Sequence, residues 1–217
     1  MAVLFIICIA LQTSYVIFAN KKKFVIALIC KTLASVCFVG LGYYGYSISN
    51  DISNKWFIYG LLFDAIGDVL LGVRNIVLHD QMFLIGTLSF MVGHVFYIVA
   101  LIPRIASILT ITMACAIVIG IGLYCFFMKV CKFSKALTIV GFFYTILMVS
   151  IGIMGIAAYL HMNTTKNLTY MFGAILFMMS DTILVLHNFS KRKNWMHPVY
   201  STLYYVGQML IALSMSL

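Results

Sequence analysis

Residues 60–75 read GLLFDAIGDVLLGVRN, an apolar segment holding two of the chain's five acids. Asp64 and Asp68 are four apart, which on a helix puts both carboxyls on one face. Inside a membrane an ionised carboxylate costs roughly 2.5–3.5 kcal/mol on insertion scales, so such groups are retained for a task. A later segment of similar pattern, GAILFMMSDTILVLHN at 173–188, holds Asp181 directly after Ser180. Two carboxyls in unlike surroundings can divide the roles of general acid and general base. Buried acids also build proton relays, so a proton-coupled transporter is the alternative chemistry.

The elements that must position these groups follow from composition. Of 217 residues 64% are apolar and 9% charged, with a mean hydropathy of +1.11. That composition excludes a soluble domain and predicts an all-α, polytopic transmembrane bundle. Eight runs of the length needed to cross a bilayer fall at about 2–19, 24–46, 56–73, 82–102, 106–128, 136–160, 168–187 and 198–217, since a span takes roughly 17–25 residues. The connections are short, so 1–217 is expected to be a single integral membrane domain. The first run has no basic stretch before it and no A-x-A cleavage site, and is expected to be retained as a helix. The net charge of +9 is dispersed through short loops, which speaks for topology and against nucleic acid.

Ten Lys and Arg fall in the loops after runs 1, 3, 5 and 7 and three in the loops after runs 2, 4 and 6, with Lys31 inside run 2. The positive-inside rule then places the odd loops in the cytoplasm and both termini on the far side. A shift of 113 superposes Gly60 on Gly173, Asp68 on Asp181 and Asn75 on Asn188, and a shift of 114 places Gly93-His94 on Gly207-Gln208. That spacing predicts two four-helix halves of the same orientation.

Counted inward from the expected cytoplasmic loops, Lys31, Asp68, His94, Tyr144, Asp181 and Gln208 all fall within roughly 9–18 Å of that end at 1.5 Å per residue. Six polar side chains on six runs at similar depth predict a site in the bundle core. Asp64 lies one turn further toward the far side, which makes it a supporting residue to the Asp68–Asp181 pair. Each group also has a bland role: Lys31 can snorkel, and His94, Tyr144 and Gln208 can join helices. No metal site is expected, because only His94 lies deep. His79, His187 and His197 fall at the inner rim, His161 at the outer one, and no H-x-x-x-H or HExxH spacing occurs. Five of the six cysteines, all but Cys131, lie in apolar runs and are expected to be buried small hydrophobes.

The order of these elements resembles the YhhN-like lysoplasmalogenase family. The matching stretches are Lys31 in CKTLAS, DAIGDVLLG at 64–72, FLIGTLSFMVGHVFY at 83–97, GAILFMMSD at 173–181 and YYVGQMLI at 204–211. One departure is Thr32, where the family usually has proline after the lysine. The resemblance implies a membrane hydrolase that cleaves the vinyl ether bond of lysoplasmalogens. The products would be a fatty aldehyde and glycerophosphoethanolamine or glycerophosphocholine. The family's essential aspartates map onto Asp68 and Asp181. Supporting or substrate-binding roles are expected for Lys31, Asp64, His94, Tyr97, Tyr144, Ser180, Tyr204 and Gln208. The implied partners are a lyso-ether-phospholipid and membrane lipid, with no cofactor. The lack of appended signals leans toward a bacterial cytoplasmic membrane over an endoplasmic reticulum.

Overall fold

The computed structural model describes residues 1–49, 51–77 and 80–217; His79, expected at the inner rim, lies outside the described residues. Within them the chain is all-helical. The helices are α1 (Ala2–Asn20), α2 (Phe24–Ile48), α3 (Asn54–Val77), α4 (Asp80–Leu101), α5 (Leu109–Val130), α6 (Lys135–His161), α7 (Thr165–Phe189) and α8 (Met196–Ser214). Their bounds differ from the apolar runs by a few residues. Two short 3-10 turns, Ile102–Arg104 and Ala106–Ile108, join α4 to α5, with Pro103 in the first, where its missing N–H costs nothing. In lipid each backbone N–H and C=O must be satisfied within its own segment, and uninterrupted helices achieve that. Ser134 and Thr164 cap α6 and α7, accepting from the amides of Leu137 and Asn167.

Seven of the eight helices are long and apolar enough to cross a membrane, as in an integral multi-pass protein. The helix that falls short is α8, a refinement of the eight equal runs expected. It carries His197, Tyr200, Tyr204, Tyr205 and Gln208, and it can afford them because it packs against α7, α2 and α1. Tyr204, Tyr205 and Gln208 are all buried there.

Helix pairing repeats between the halves. The most extensive packing is α3 on α4 and α7 on α8; α2 packs on α8 as α6 packs on α4. The repeated glycines explain the tight pairs. A Cβ on Gly173 would lie 2.8 Å from the carbonyl oxygen of Gly207, and one on Gly207 would meet the Gly173 oxygen at the same distance. In the first half a Cβ on Gly93 would run into the carboxylate of Asp64 and approach the Gly60 oxygen to 3.1 Å. Backbone at that separation leaves no room for a side chain.

The α1–α2, α5–α6 and α7–α8 loops, the C-terminal end of α3 and the N-terminal end of α4 share one end, the basic end. There Lys132 N–H donates to the Phe189 carbonyl, and His197 meets the Tyr15 hydroxyl. At the far end Arg104 is buried. It donates to Asn167 Oδ1 at 3.1 Å and Asp51 Oδ2 at 3.5 Å, and lies over the Phe57 ring. Lys166 reaches the same Asp51 oxygen at 2.7 Å. Partial burial pushes the Asp51 carboxyl up, but the hydrogen bonds from Lys166 and Ser53 outweigh it and hold the group well below the usual carboxylate range. Two expected buried cysteines are exposed instead. Cys115 and Cys125 sit on the outer side of α5, which packs chiefly on α6 and leaves its other faces to lipid.

Candidate active site

A cavity of about 560 Å³ opens between the two halves at the basic end, within the size range of small-ligand pockets. Six of the ten expected site residues line it: Lys31 from α2, Asp68 from α3, Tyr144 from α6, Ser180 and Asp181 from α7, and Tyr204 from α8. The rest of the wall is largely aromatic and aliphatic, including Phe83, Phe90 and Phe127.

The two lining carboxyls have unlike surroundings. Asp68 is 2% exposed and receives three donors. Lys31 Nζ stands 3.1 Å from Oδ1; Ser35 and Tyr204 hydroxyls donate to Oδ2 at 2.6 and 2.8 Å. Lys31 and Ser35 are one turn apart on α2, so a single helix face supplies two of the donors. Tyr205 donates to the Lys31 carbonyl at 3.1 Å, which ties α8 to that same turn.

Asp181, 4% exposed, receives one donor, the hydroxyl of Tyr144 at 2.5 Å. His94 stands on its other side with Nε2 at 3.8 Å from Oδ2, too far for a hydrogen bond. The tautomer follows from the other ring nitrogen, Nδ1, which faces the Phe90 carbonyl. A carbonyl only accepts, so Nδ1 carries the proton, and in the neutral ring Nε2 presents a lone pair toward Asp181. His94 Nε2 is fully buried with no hydrogen-bond partner. The ring is wedged between Phe177 and Tyr144, with centroids 5.1 and 5.2 Å away.

Asp64, His94, Tyr97 and Gln208 do not line the cavity; His94 backs Asp181, and the other three form a hydrogen-bonded layer of their own. Asp64 Oδ2 accepts from the Tyr97 hydroxyl at 2.8 Å and from Gln208 Nε2 at 2.7 Å. Tyr97 also stands 3.0 Å from Gln208 Oε1, so its one proton serves one acceptor at a time. Asp64 Oδ1 is buried without a partner. Asp64 and Asp68, on one helix, thus belong to separate clusters. Lys31 and Tyr144 are also related by the shift of 113, and each contacts the aspartate of its own half. The repeat thus places a cation beside Asp68 and a phenol beside Asp181.

A family model described as the YhhN family matches residues 4–215. The chain belongs to the YhhN family. No curated protein and no solved structure matches it.

In this YhhN-family chain the groups not anticipated from sequence are Ser35, Tyr205 and the cavity mouth. Ser35 is four residues after Lys31, a spacing that would have found it. The mouth groups, Arg74, Arg192, His187 and His197, read in sequence as topology signals and rim histidines. Among the described residues no three of His, Cys, Asp or Glu come together as a metal-ligand group.

Proposed function

We propose that the chain is a membrane-embedded hydrolase that opens the vinyl ether bond of lysoplasmalogens, releasing a fatty aldehyde and a glycerophospho-head group. The observation that carries this is the pairing of two carboxyls with unlike partners on one cavity, an ammonium and two hydroxyls on Asp68 against a single phenol on Asp181. Vinyl ethers hydrolyse by protonation at the β-carbon, which leaves an oxocarbenium ion. Water adds to that ion, and the resulting hemiacetal collapses to aldehyde and alcohol. The chemistry asks for one carboxylic acid and one carboxylate, as glycoside hydrolysis does.

Asp181 suits the acid. It accepts one hydrogen bond from Tyr144 and faces an acceptor nitrogen of His94, an environment that accommodates a protonated carboxyl. Asp68 suits the carboxylate, because an ammonium and two hydroxyls converge on it. Asp181 delivers its proton to the β-carbon; Asp68 stabilises the cation and takes a proton from the attacking water. Return of that proton through water to Asp181 resets the pair. Ser180, whose hydroxyl donates to the Tyr200 carbonyl at 2.8 Å, fixes α7 against α8 beside the acid. The single alkenyl chain lies along the aromatic wall, and no cofactor is required. The basic end is assigned to the cytoplasm on the loop charges.

The test is aldehyde release from lysoplasmalogen by purified protein in detergent. Asp68→Asn and Asp181→Asn should each abolish it, whereas Asp64→Asn should reduce it only in part. Full turnover in both Asn variants of the pair would sink the two-carboxylate mechanism. The repeated four-helix halves favour a second reading, a proton-coupled lipid or small-molecule transporter. No aldehyde from the wild type, with substrate-dependent proton flux in vesicles, would support it.

A further inference from the structure

The expected cytoplasmic loops hold ten cations, eight lysines and two arginines. None of those eight lysines lines the cavity; both arginines, Arg74 and Arg192, do. A topology signal needs only charge, and lysine serves it as well as arginine. A guanidinium offers in addition a planar fork that matches phosphate oxygens.

The two arginines have company. Arg74 is the last-turn residue of α3, its guanidinium 4.8 Å over the Phe83 ring. The position related to it by the shift of 113 is His187 on α7. His187 is 7% exposed and lines the cavity, and its Nδ1 is buried with no hydrogen-bond partner. Its ring stacks on His197, centroids 6.1 Å apart, and His197 also lines the cavity and meets the Tyr15 hydroxyl at 3.2 Å. Lys31, Arg192 and His187 all lie within electrostatic reach of His197. The cavity's described carboxylates are Asp68 and Asp181, deeper along the helices. Two guanidiniums and two imidazoles thus line one concave mouth, a donor-rich setting suited to an anion that accepts hydrogen bonds.

Spacing selects the anion. Arg74 is six residues beyond Asp68 and His187 six beyond Asp181, which on a helix is roughly 9 Å. A glycerol unit separates the vinyl ether from the phosphorus by a distance of that order. A fatty acid, with its carboxylate at the end of the chain, offers no reactive bond at that depth.

We propose that Arg74, Arg192, His187 and His197 form a phosphate subsite at the basic end of the cavity that holds the phosphodiester of a single-chain lipid's head group. The assignment rests on the proposed hydrolase reading for the position of the reacting bond, though not for the charge. Through the head group it sets how deeply the lipid enters, and so presents the vinyl ether to Asp68 and Asp181.

The test is equilibrium binding in detergent, with no turnover. The probes are a saturated-ether lysophospholipid, which has no vinyl bond, and the same chain on uncharged glycerol. The wild type should bind the phospholipid at least about tenfold tighter, equivalent to about 1.4 kcal/mol. In the double variant Arg74→Gln/Arg192→Gln that preference should fall to about twofold or less, while the alkylglycerol binds as before, which shows the variant folded. His187→Asn should lose part of the preference. Equal affinity for the two probes in the wild type, or an unchanged preference in the double variant, overturns the subsite. Inorganic phosphate binding as tightly as the phospholipid overturns the head-group assignment in favour of free phosphate. An intact preference in a protein that releases no aldehyde overturns the hydrolase reading alone.

Discussion

The two aspartates of the cavity should respond differently to the same substitution. In Asp68→Asn the carboxylate that accepts from Lys31, Ser35 and Tyr204 at 3.1, 2.6 and 2.8 Å becomes a neutral amide. The Tyr204 hydroxyl can donate to the amide oxygen, and Ser35 can re-pair, since it already lies 3.1 Å from the Lys31 carbonyl and 3.4 Å from the Tyr205 hydroxyl. The ammonium cannot. Lys31 is 8% exposed, and stripping the partner from a buried ion costs about 3–5 kcal/mol. Lys31 lines the cavity, so its stem can swing the charge toward the mouth, which sets the expectation at the lower end, about 3 kcal/mol. At roughly 2–4 °C per kcal/mol for a chain of this size, the apparent Tm should fall by about 6–12 °C. Asp181→Asn leaves the Tyr144 donor an amide oxygen to meet, so its stability should stay within about 1 kcal/mol of wild type. Both variants should lose aldehyde release, by about 10²–10⁴-fold for a displaced general acid or base. The assay pairs thermal unfolding in one detergent with turnover of lysoplasmalogen. Equal Tm losses in the two variants, or a larger loss in Asp181→Asn, would refute the assignment of the charged carboxylate to Asp68.

Three further outcomes follow. Tyr144→Phe removes the one donor to Asp181; kcat should fall about 10-fold or more, because that hydrogen bond strengthens as Asp181 gives up its proton and becomes charged, with KM little changed. A Tyr144→Phe enzyme with wild-type kcat and a displaced KM would instead make Tyr144 a binding residue. Gly207→Ala puts a methyl group 2.8 Å from the Gly173 carbonyl, so α7 and α8 must separate. The expected cost is about 1–3 kcal/mol, read as a lower Tm, with activity reduced because Tyr204 and Asp181 move apart. At the far end, Asp51→Asn should cost about 1–2 kcal/mol by removing the charged acceptor that Lys166 and Arg104 share. Because the folded Asp51 carboxyl is held low, its contribution is complete above the unfolded value near pH 4 and disappears only as pH falls below that. A Tm difference between wild type and Asp51→Asn that shrinks between pH 8 and 6 would contradict this.

Much of the architecture is legible in sequence because lipid permits so few solutions. Apolar runs of spanning length must be helices, and the eight expected runs match the eight helices within a few residues. The spacing of Gly60, Asp68 and Gly93 against Gly173, Asp181 and Gly207 anticipated the like packing of α3 on α4 and α7 on α8. The family was legible for a similar reason: polar residues in an apolar helix are expensive, so the few present make a readable signature. Depth along a helix is also a sequence property, and it placed Lys31, Asp68, Tyr144 and Asp181 at one level.

What sequence cannot give is the rotation of each helix about its axis, which sets the neighbour each side chain meets. Asp64 and Asp68 share a face of α3, yet Asp68 opens on the cavity while Asp64 is sealed against Tyr97 and Gln208. Cysteines in the apolar run of α5 are expected to be buried, but α5 borders the bundle and turns Cys115 and Cys125 outward. Loop cations look alike in sequence, and only packing decides that Arg74 and Arg192 face the cavity while their lysine neighbours do not. Residue type, depth and repeat are fixed locally along the chain. The partners that give each carboxyl its character come from α2, α4, α6 and α8, and only the assembled bundle brings those helices together.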